Sequence, residues 1–431
     1  MEEQVKNASW DHFVRIHEDL CNGCVLCMKV CPAKAIRVRG GHVARTEGLC
    51  IDCGECMRVC PRGAVKAITT GSRKIDRPTA VAIISPVLYT QFGEDITPGD
   101  IYEAVKGLGF MDVVEQAEVM AQYVKALELY IREKGKSRDA PRPLISPVCP
   151  VVVRLIAYRF PSLLKNVVPI ITPRELSARE ARKKIAEQRG VDPEEVRVYH
   201  VTPCAAKMIS IKRPVLMERS YLDGAIGIST IYPEVLRELK ARKEKKGEAN
   251  ARNRMVEWAA SGGEIDNMEE GNLLAVSGMQ ETIRYLERIE MGLLESIDYV
   301  EFRACGEGCI GGPLTVADKY QAKYTIRKLG RRQRQGLQAD VAQVEERYKS
   351  GWFFTHWEPR PIGQREQTLP LAEAIRRQEQ VEKLRRALPG KECGACGSPD
   401  CATFAEDVVD ERASISECVF LKRPREKGES G

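Results

Sequence analysis

The hydrophobic pattern along the chain changes character at about Pro78. From there to Phe302, short apolar runs alternate with longer stretches in which apolar residues recur at helical spacing. The runs Ala80–Ser85, Met111–Glu115, Pro143–Ser146, Val196–Val201, Leu273–Val276 and Ile297–Phe302 read as strands, and helical segments follow most of them. Such alternation predicts an α/β domain with largely parallel sheet, in one or two lobes. Thr172-Pro173-Arg174-Glu175 has the form of a capping box with proline at the first helical position, and predicts a helix to about Gln188. Further on, Leu371–Leu388 is a charged, helix-favouring run that stops at Pro389-Gly390 and reads as a linker helix. No apolar run approaches the roughly 18 residues needed to cross a bilayer. The start, Met1-Glu2-Glu3-Gln4, lacks the basic and apolar regions of a signal peptide. A cytoplasmic protein without membrane insertion is expected.

The length, 431 residues, allows about two to four domains. A hydrophobic fraction of 43% excludes disorder. The formal charge of +6 raises the question of an anionic partner. Its densest stretch, Lys240–Arg254 (KARKEKKGEANARNR), carries no interleaved aromatic residues and reads as a solvated helix end or loop, so no nucleic-acid partner is expected. His12, His17, His42, His200 and His356 show no ligand spacing and read as structural. No strand leads through G-x-G-x-x-G into a helix and no Walker sequence is present, so nicotinamide chemistry would belong to a partner subunit.

The 16 cysteines carry the chemistry, and they divide by spacing into eight, four and four. In a reducing compartment, thiols bunched at short regular spacings read as metal ligands. Cys21, Cys24, Cys27 and Cys31 precede Pro32, and the same C-x2-C-x2-C-x3-C-P pattern recurs 29 residues later at Cys50, Cys53, Cys56, Cys60 and Pro61. In this pattern the fourth cysteine ligates the cluster of the other half. Cys21, Cys24, Cys27 and Cys60 are therefore expected on one 4Fe-4S cluster, and Cys50, Cys53, Cys56 and Cys31 on the second. Gly23, Gly54 and Ala33 let backbone amides approach the sulfurs. The alternative is a pair of zinc sites. The stretch resembles bacterial two-cluster ferredoxins over roughly residues 11–70, which implies electron transfer.

In the middle segment Cys149, Cys204 and Cys305 each sit just beyond a predicted strand, where open α/β sheets bind ligands. Cys309 follows in A-C-G-E-G-C-I-G-G, whose glycines permit a tight wrap. Read alone, scattered cysteines can equally be inert core thiols. Yet SPVCP (Ser146–Pro150), TPCAAK (Thr202–Lys207) and FRACGEGCIGGP (Phe302–Pro313) resemble, in order, the three signature motifs of iron-iron hydrogenases, and the likeness extends over roughly residues 79–350. Those enzymes carry an H-cluster, a 4Fe-4S cubane bridged by one thiolate to a diiron unit. The resemblance implies that Cys149, Cys204, Cys305 and Cys309 hold the cubane and that Cys309 is the bridge. It implies that Lys207 contacts a cyanide ligand, where the alternative is a solvated lysine, and that Ser85 and Pro86 pack beside the diiron unit. The implied activity is cleavage of dihydrogen into protons and electrons, in partnership with a ferredoxin or other redox protein and with maturases for the diiron unit. A homodimer or a place in a larger complex is compatible with it.

Three departures stand out. The cysteine that relays the first proton in prototypical members is here Val148, the methionines flanking the diiron unit fall at Thr202 and Arg303, and no acidic relay is recognisable in Ala121–Glu128 (AQYVKALE). These departures imply low activity, and the pattern SPVCP-VVVRLI with ACGEGCIGG resembles the divergent branches called sensory hydrogenases, in an anaerobic setting. A second reading follows from the same departures: a non-catalytic iron-sulfur scaffold or electron conduit without the diiron unit. Beyond residue 390, Cys393, Cys396, Cys401 and Cys418 (C-x2-C-x4-C-x16-C) resemble the small 4Fe-4S domain of electron-transport subunits and corrinoid iron-sulfur proteins, with zinc as the alternative.

The expected organisation is thus an α+β two-cluster ferredoxin domain over 1–78, an α/β two-lobed H-cluster domain over 79–365, a helical linker over 366–390 and a small helical 4Fe-4S domain over 391–431. It holds four 4Fe-4S clusters and the diiron subcluster, with an electron entry or exit at each end of the H-cluster domain. Four cubanes at about −2 each would carry the holoprotein from +6 to about −2.

Overall fold

The structure, a computed structural model, describes residues 12–46, 48–137, 139–243, 255–332, 339–362 and 370–421. Most of the basic stretch Lys240–Arg254 lies outside them, as does the chain start. The chain divides into two compact units, one of Ile68–Pro361 and one that joins Met1–Ala67 to Ile362–Gly431.

The first segment builds two short antiparallel pairs. Strand β1 (Val14–Ile16) pairs with β4 (Val65–Ala67), and β2 (Ile36–Arg39) forms a hairpin with β3 (His42–Arg45). A short helix follows the opening of each cysteine repeat, Leu26–Lys29 and Glu55–Val59. Asp52, fully buried between two cysteines of the second repeat, accepts from the amides of Phe13 (2.7 Å) and Val14 (3.0 Å) and pairs with His12 Nδ1 (2.9 Å). Its carboxylate thereby ties the first strand to the second cysteine loop.

The unit of Ile68–Pro361 contains two parallel sheets. In the first, β5 (Ala80–Ile84) is flanked by β6 (Asp112–Glu115) and β8 (Arg197–Thr202), and β9 (Gly224–Gly227) lies beyond β8. In the second, β11 (Tyr299–Arg303) lies between β7 (Leu144–Ile145) and β10 (Leu273–Ser277). Every residue of β5 and of β11 is buried, as expected of parallel strands covered on both faces. For β11 this burial includes Glu301 and Arg303. Separate cores back the two sheets, one around Ile84, Leu88 and Ile226, the other around Tyr123, Trp258 and Phe353. The expected two-lobed α/β domain is therefore what the chain forms, and β9 is the strand that the hydrophobic pattern did not announce. Helix Pro173–Arg189 begins where expected, but Thr172 does not cap it: Glu175 turns away to Ser220 Oγ (2.8 Å) and the Tyr221 amide (2.9 Å), so no reciprocal box forms.

The C-terminal segment departs from its expected place. Helix Leu371–Ala387 is not a free-standing linker, because Val381, Leu384 and Leu388 form a small core with Phe404 and Ala405 of helix Cys401–Val409. The ferredoxin-type and C-terminal segments, expected as separate domains, fold as one unit. The Val38 amide donates to Gly397 O (2.9 Å), and a Cβ at Gly397 (φ +77°) would fall on the Val38 carbonyl, so glycine is required there. Arg37 grips Asp407 with both Nε and Nη2 (Nη2–Oδ1 3.0 Å), while Ser398 Oγ donates to the same carboxylate (2.7 Å). Arg37 is 7% exposed and Asp407 1%. Breaking a buried bidentate pair strands a charge, so Arg37→Ala should destabilise this unit by about 3 to 5 kcal/mol. Urea denaturation of the cluster-loaded chain reads this out, and a loss below about 1 kcal/mol, the range of exposed pairs, would remove the pair from the account of how the segments are held.

Candidate functional site

The carboxyl ends of strands from both sheets of the larger unit converge on a cavity of about 730 Å³, open solvent at its mouth included. Cys149 stands at the N-terminus of helix Pro150–Arg159, just beyond β7. Cys204 follows β8, its amide donating to Thr202 Oγ1 (3.1 Å), so the threonine at the expected methionine position fixes this turn. Cys305 and Cys309 come from the loop after β11, closed by Gly308 N to Cys305 O at 3.1 Å. Gly308 has φ +89°, and a Cβ there would strike the backbone of Ala260 and Ser261. All four cysteines line the cavity, together with Lys207, Ser85 and Pro86. The four cysteines, Lys207, Ser85 and Pro86 are thus brought to one place.

The charges there are far from ordinary. Burial pushes the Cys204 thiol up to about 11, against the pull of Lys207, and raises Cys149 as well. Thiols in such surroundings become thiolates when a metal supplies the compensating charge. Burial lowers the Lys207 ammonium, the Cys309 and Cys204 charges oppose that, and Arg174 reinforces it. Lys207 is therefore a partly buried cation whose charge is felt by the Cys204 and Cys309 sulfurs, not a solvated lysine. One zinc ion closed in by four thiolates leaves little void, whereas this cavity has room for a much larger group. Its wall also carries unsatisfied buried donors, Arg303 Nη1, Arg174 Nε and Nη1, and the Thr172 hydroxyl. Four thiols and several cations suit a large anionic iron-sulfur group.

Thr172, Pro173 and Arg174 were not recognised as site residues from sequence, nor was the network behind Arg303. That arginine, 1% exposed, donates from Nε to Glu301 (2.8 Å) and from Nη2 to Glu264 (3.2 Å). Glu264 also accepts from Ser146 Oγ (2.9 Å) and from the Tyr299 hydroxyl, with the Tyr123 hydroxyl at 3.4 Å. Burial pushes Glu264 up to about 7, opposed by Arg303 and aided by Glu301. The signal was present in the glutamate and arginine interrupting the apolar run YVEFR. Helix Ala117–Gly135 contributes Tyr123, not a carboxylate, to this network. Val148 lines the cavity wall as an apolar side chain.

In the other unit, Cys31, Cys50, Cys53 and Cys56 line one cavity of about 460 Å³, so the fourth cysteine of the first repeat joins three of the second. Burial pushes Cys50 up to about 12 and, with the Cys24 and Cys21 charges, Cys27 to about 11. Cys60 Sγ accepts from the Ala64 amide (3.3 Å). Cys393, Cys396, Cys401 and Cys418 line a cavity of about 330 Å³. Of the histidines, His12 pairs with Asp52, and His200 is buried with both ring nitrogens unpartnered, its pKa depressed by burial and by Lys207 and Arg174.

Parallel sheets whose strand ends gather four cysteines, and two further cavities each lined by four cysteines, are the ligand arrangement of an iron-sulfur protein. Residues 78–231 match the family model for the iron only hydrogenase large subunit, C-terminal domain, residues 13–74 a 4Fe-4S dicluster domain, and residues 388–420 an Fe-S cluster family. The chain is a hydrogenase-like iron-sulfur protein related to the FeFe hydrogenases. Among similar proteins, iron hydrogenase 1 of Clostridium pasteurianum is 26% identical over 188 residues, 43% of this chain and 32% of its own length. The periplasmic Fe hydrogenase large subunit of Nitratidesulfovibrio vulgaris is 29% identical over 230 residues, 49% of this chain and 54% of its own. An FeFe-hydrogenase of Chlamydomonas reinhardtii superposes with a TM-score of 0.51 at 14% identity, covering 67% of this chain and 96% of that one, which establishes the fold. The chain spans about half, or less, of these curated relatives' lengths. No helix among the described residues is long and apolar enough to cross a membrane.

Proposed function

We propose that Cys149, Cys204, Cys305 and Cys309 hold the cubane of an H-cluster, with Cys309 bridging to a diiron unit, and that the chain cleaves or senses dihydrogen. The observation that supports this best is the convergence of four thiols from three strand ends on one enclosed cavity facing Lys207. When bound, the H-cluster supplies the hydrogen-splitting chemistry. Lys207 and Arg174 offset its negative charge, and Ser85 and Pro86 shape the wall beside it. The remaining sites hold two ferredoxin-type cubanes, on Cys21, Cys24, Cys27 and Cys60 and on Cys31, Cys50, Cys53 and Cys56, and a fourth on Cys393, Cys396, Cys401 and Cys418. These clusters pass electrons to a ferredoxin or another redox subunit, and maturases deliver the diiron unit. The cytoplasm, which keeps thiols reduced, is the compartment this loading suits.

Val148 cannot carry a proton, so another group must. Glu264 is a buried carboxylate with a raised pKa that reaches the cavity through the lining residue Arg303 (3.2 Å). Infrared spectroscopy of protein matured with the diiron unit should show carbonyl and cyanide bands. Their absence from a fully matured preparation, with all four cubanes present, would replace this reading by that of an iron-sulfur conduit.

A further inference from the structure

In the unit that joins the two ends of the chain, the C-terminal cysteine loop lies against the first cysteine repeat, and three cations from that side are directed at it. Lys29 Nζ donates to Pro399 O (2.8 Å) and to Glu392 O, and Lys34 Nζ pairs with Asp400 Oδ2 (2.8 Å). Arg39 donates from Nη1 to Cys396 O and from Nη2 to Ser398 Oγ (3.1 Å). Cys393 and Cys396 fall inside the stretch so held, and Cys401 directly follows it. Gly394, between the first two of these cysteines, has φ +76°, and a Cβ there would come within 2.9 Å of the Met28 and Lys29 side chains. No side chain therefore fits between the loop and helix Leu26–Lys29, which carries Cys27.

Of these cations Arg39 lies nearest the cysteine chemistry. Asp407, 3.5 Å from its Nη2, is already gripped by Arg37 through Nε and Nη2. Glu417 Oε2, 3.5 Å from Arg39 Nη1, belongs to the residue just before Cys418. Burial raises the Cys396 thiol, and the Ser398 amide and the Arg39 charge oppose it, so the guanidinium is felt at the sulfur. An added electron makes a cubane more negative, and a cation this close favours that state. Without Arg39, the Glu417 charge would stand unopposed beside Cys418, and both effects push the same way.

We infer that Arg39 sets the potential of the cubane on Cys393, Cys396, Cys401 and Cys418, and that helix Leu26–Lys29 is its electron contact with the cubane on Cys21, Cys24, Cys27 and Cys60. The exchange is of one electron. It leaves one cubane, taking the total charge there from about −3 to about −2, and enters the other, which undergoes the reverse change, with no bond or proton involved. By favouring the reduced form on the C-terminal side, Arg39 draws the electron toward it. The inference rests on the reading of these cysteines as cubane ligands and is independent of the diiron unit.

The test is a redox titration with titanium(III) citrate, followed by electron paramagnetic resonance, of the full chain loaded with its cubanes and lacking the diiron unit. Cys418→Ala should lose about four irons per chain, and the signal that disappears with them is the C-terminal one. Arg39→Gln, whose amide can still donate to Cys396 O, should lower the midpoint of that signal by at least about 59 mV, tenfold in the one-electron equilibrium, and leave the other midpoints in place. Arg39→Lys, which keeps the charge, should restore most of the shift. Wild-type iron content certifies that both Arg39 variants are loaded. In fully reduced protein the C-terminal signal should be broadened by its neighbour, so that its removal in Cys418→Ala narrows what remains. A midpoint untouched by Arg39→Gln, or not restored by Arg39→Lys, would overturn the role of Arg39. A Cys418→Ala spectrum equal to wild type minus one isolated signal would overturn the contact. Undiminished iron in Cys418→Ala would remove the C-terminal cubane itself, and the inference with it.

Discussion

Replacing Cys309 by serine is expected to lower dihydrogen turnover by at least on the order of 10³-fold, since groups that act as one unit lose nearly everything together. Cys309 occupies a turn that its neighbours fix: Gly311 N bonds Gly308 O at 3.1 Å, Gly312 N bonds Cys309 O at 3.0 Å, and Gly308 admits no side chain. The sulfur is thus delivered to the cavity by backbone geometry, and serine would occupy the same place with a hydroxyl that remains protonated and is a poor partner for soft metal. The substitution lies in the larger unit, so the clusters of the other unit should keep their electron paramagnetic signals. Full turnover in Cys309→Ser protein would remove Cys309 from the reaction altogether.

Glu264→Gln should slow turnover by about 10²-fold, the usual worth of a positioned proton-transfer group. Glutamine keeps the shape and can still accept from Ser146 and Tyr299, so the cofactor should load normally. What it loses is the titration. With its carboxyl pushed up to about 7, wild-type Glu264 holds its proton below that pH and is free to take one above it. Dihydrogen oxidation should therefore rise with pH through about 7 in the wild type, and the rise should vanish in the variant. A variant that retained both rate and pH limb would show that protons leave by another route.

The parts visible in sequence are those specified by local pattern. The six expected strands all formed, because continuous apolar runs such as AVAII have no stable place except between two covered faces. The cysteine repeats were equally legible, since ligand spacing is a local property. Strand Gly224–Gly227 was not, because four residues of which two are glycine carry no periodic signal. The capping box at Thr172 misled for a related reason: the motif fits a local contact, but Glu175 finds better partners in Ser220 and Tyr221, some 45 residues on. Glu264 could not be found at all by pattern. Its environment is assembled from Tyr123, Ser146, Tyr299 and Arg303, which only the tertiary fold brings together.

The clasp of Arg37 on Asp407 bears on how the molecule is made. The two residues are 370 positions apart, with the whole of the larger unit encoded between them. On a ribosome adding about 5 to 20 residues per second, Arg37 waits roughly 20 to 70 s for its partner to be synthesised. For that interval the β2–β3 hairpin is without the Val38–Gly397 bond and the Asp407 carboxylate that complete it. The unit of Ile68–Pro361 can fold in the meantime, and the unit that encloses it in sequence is finished last.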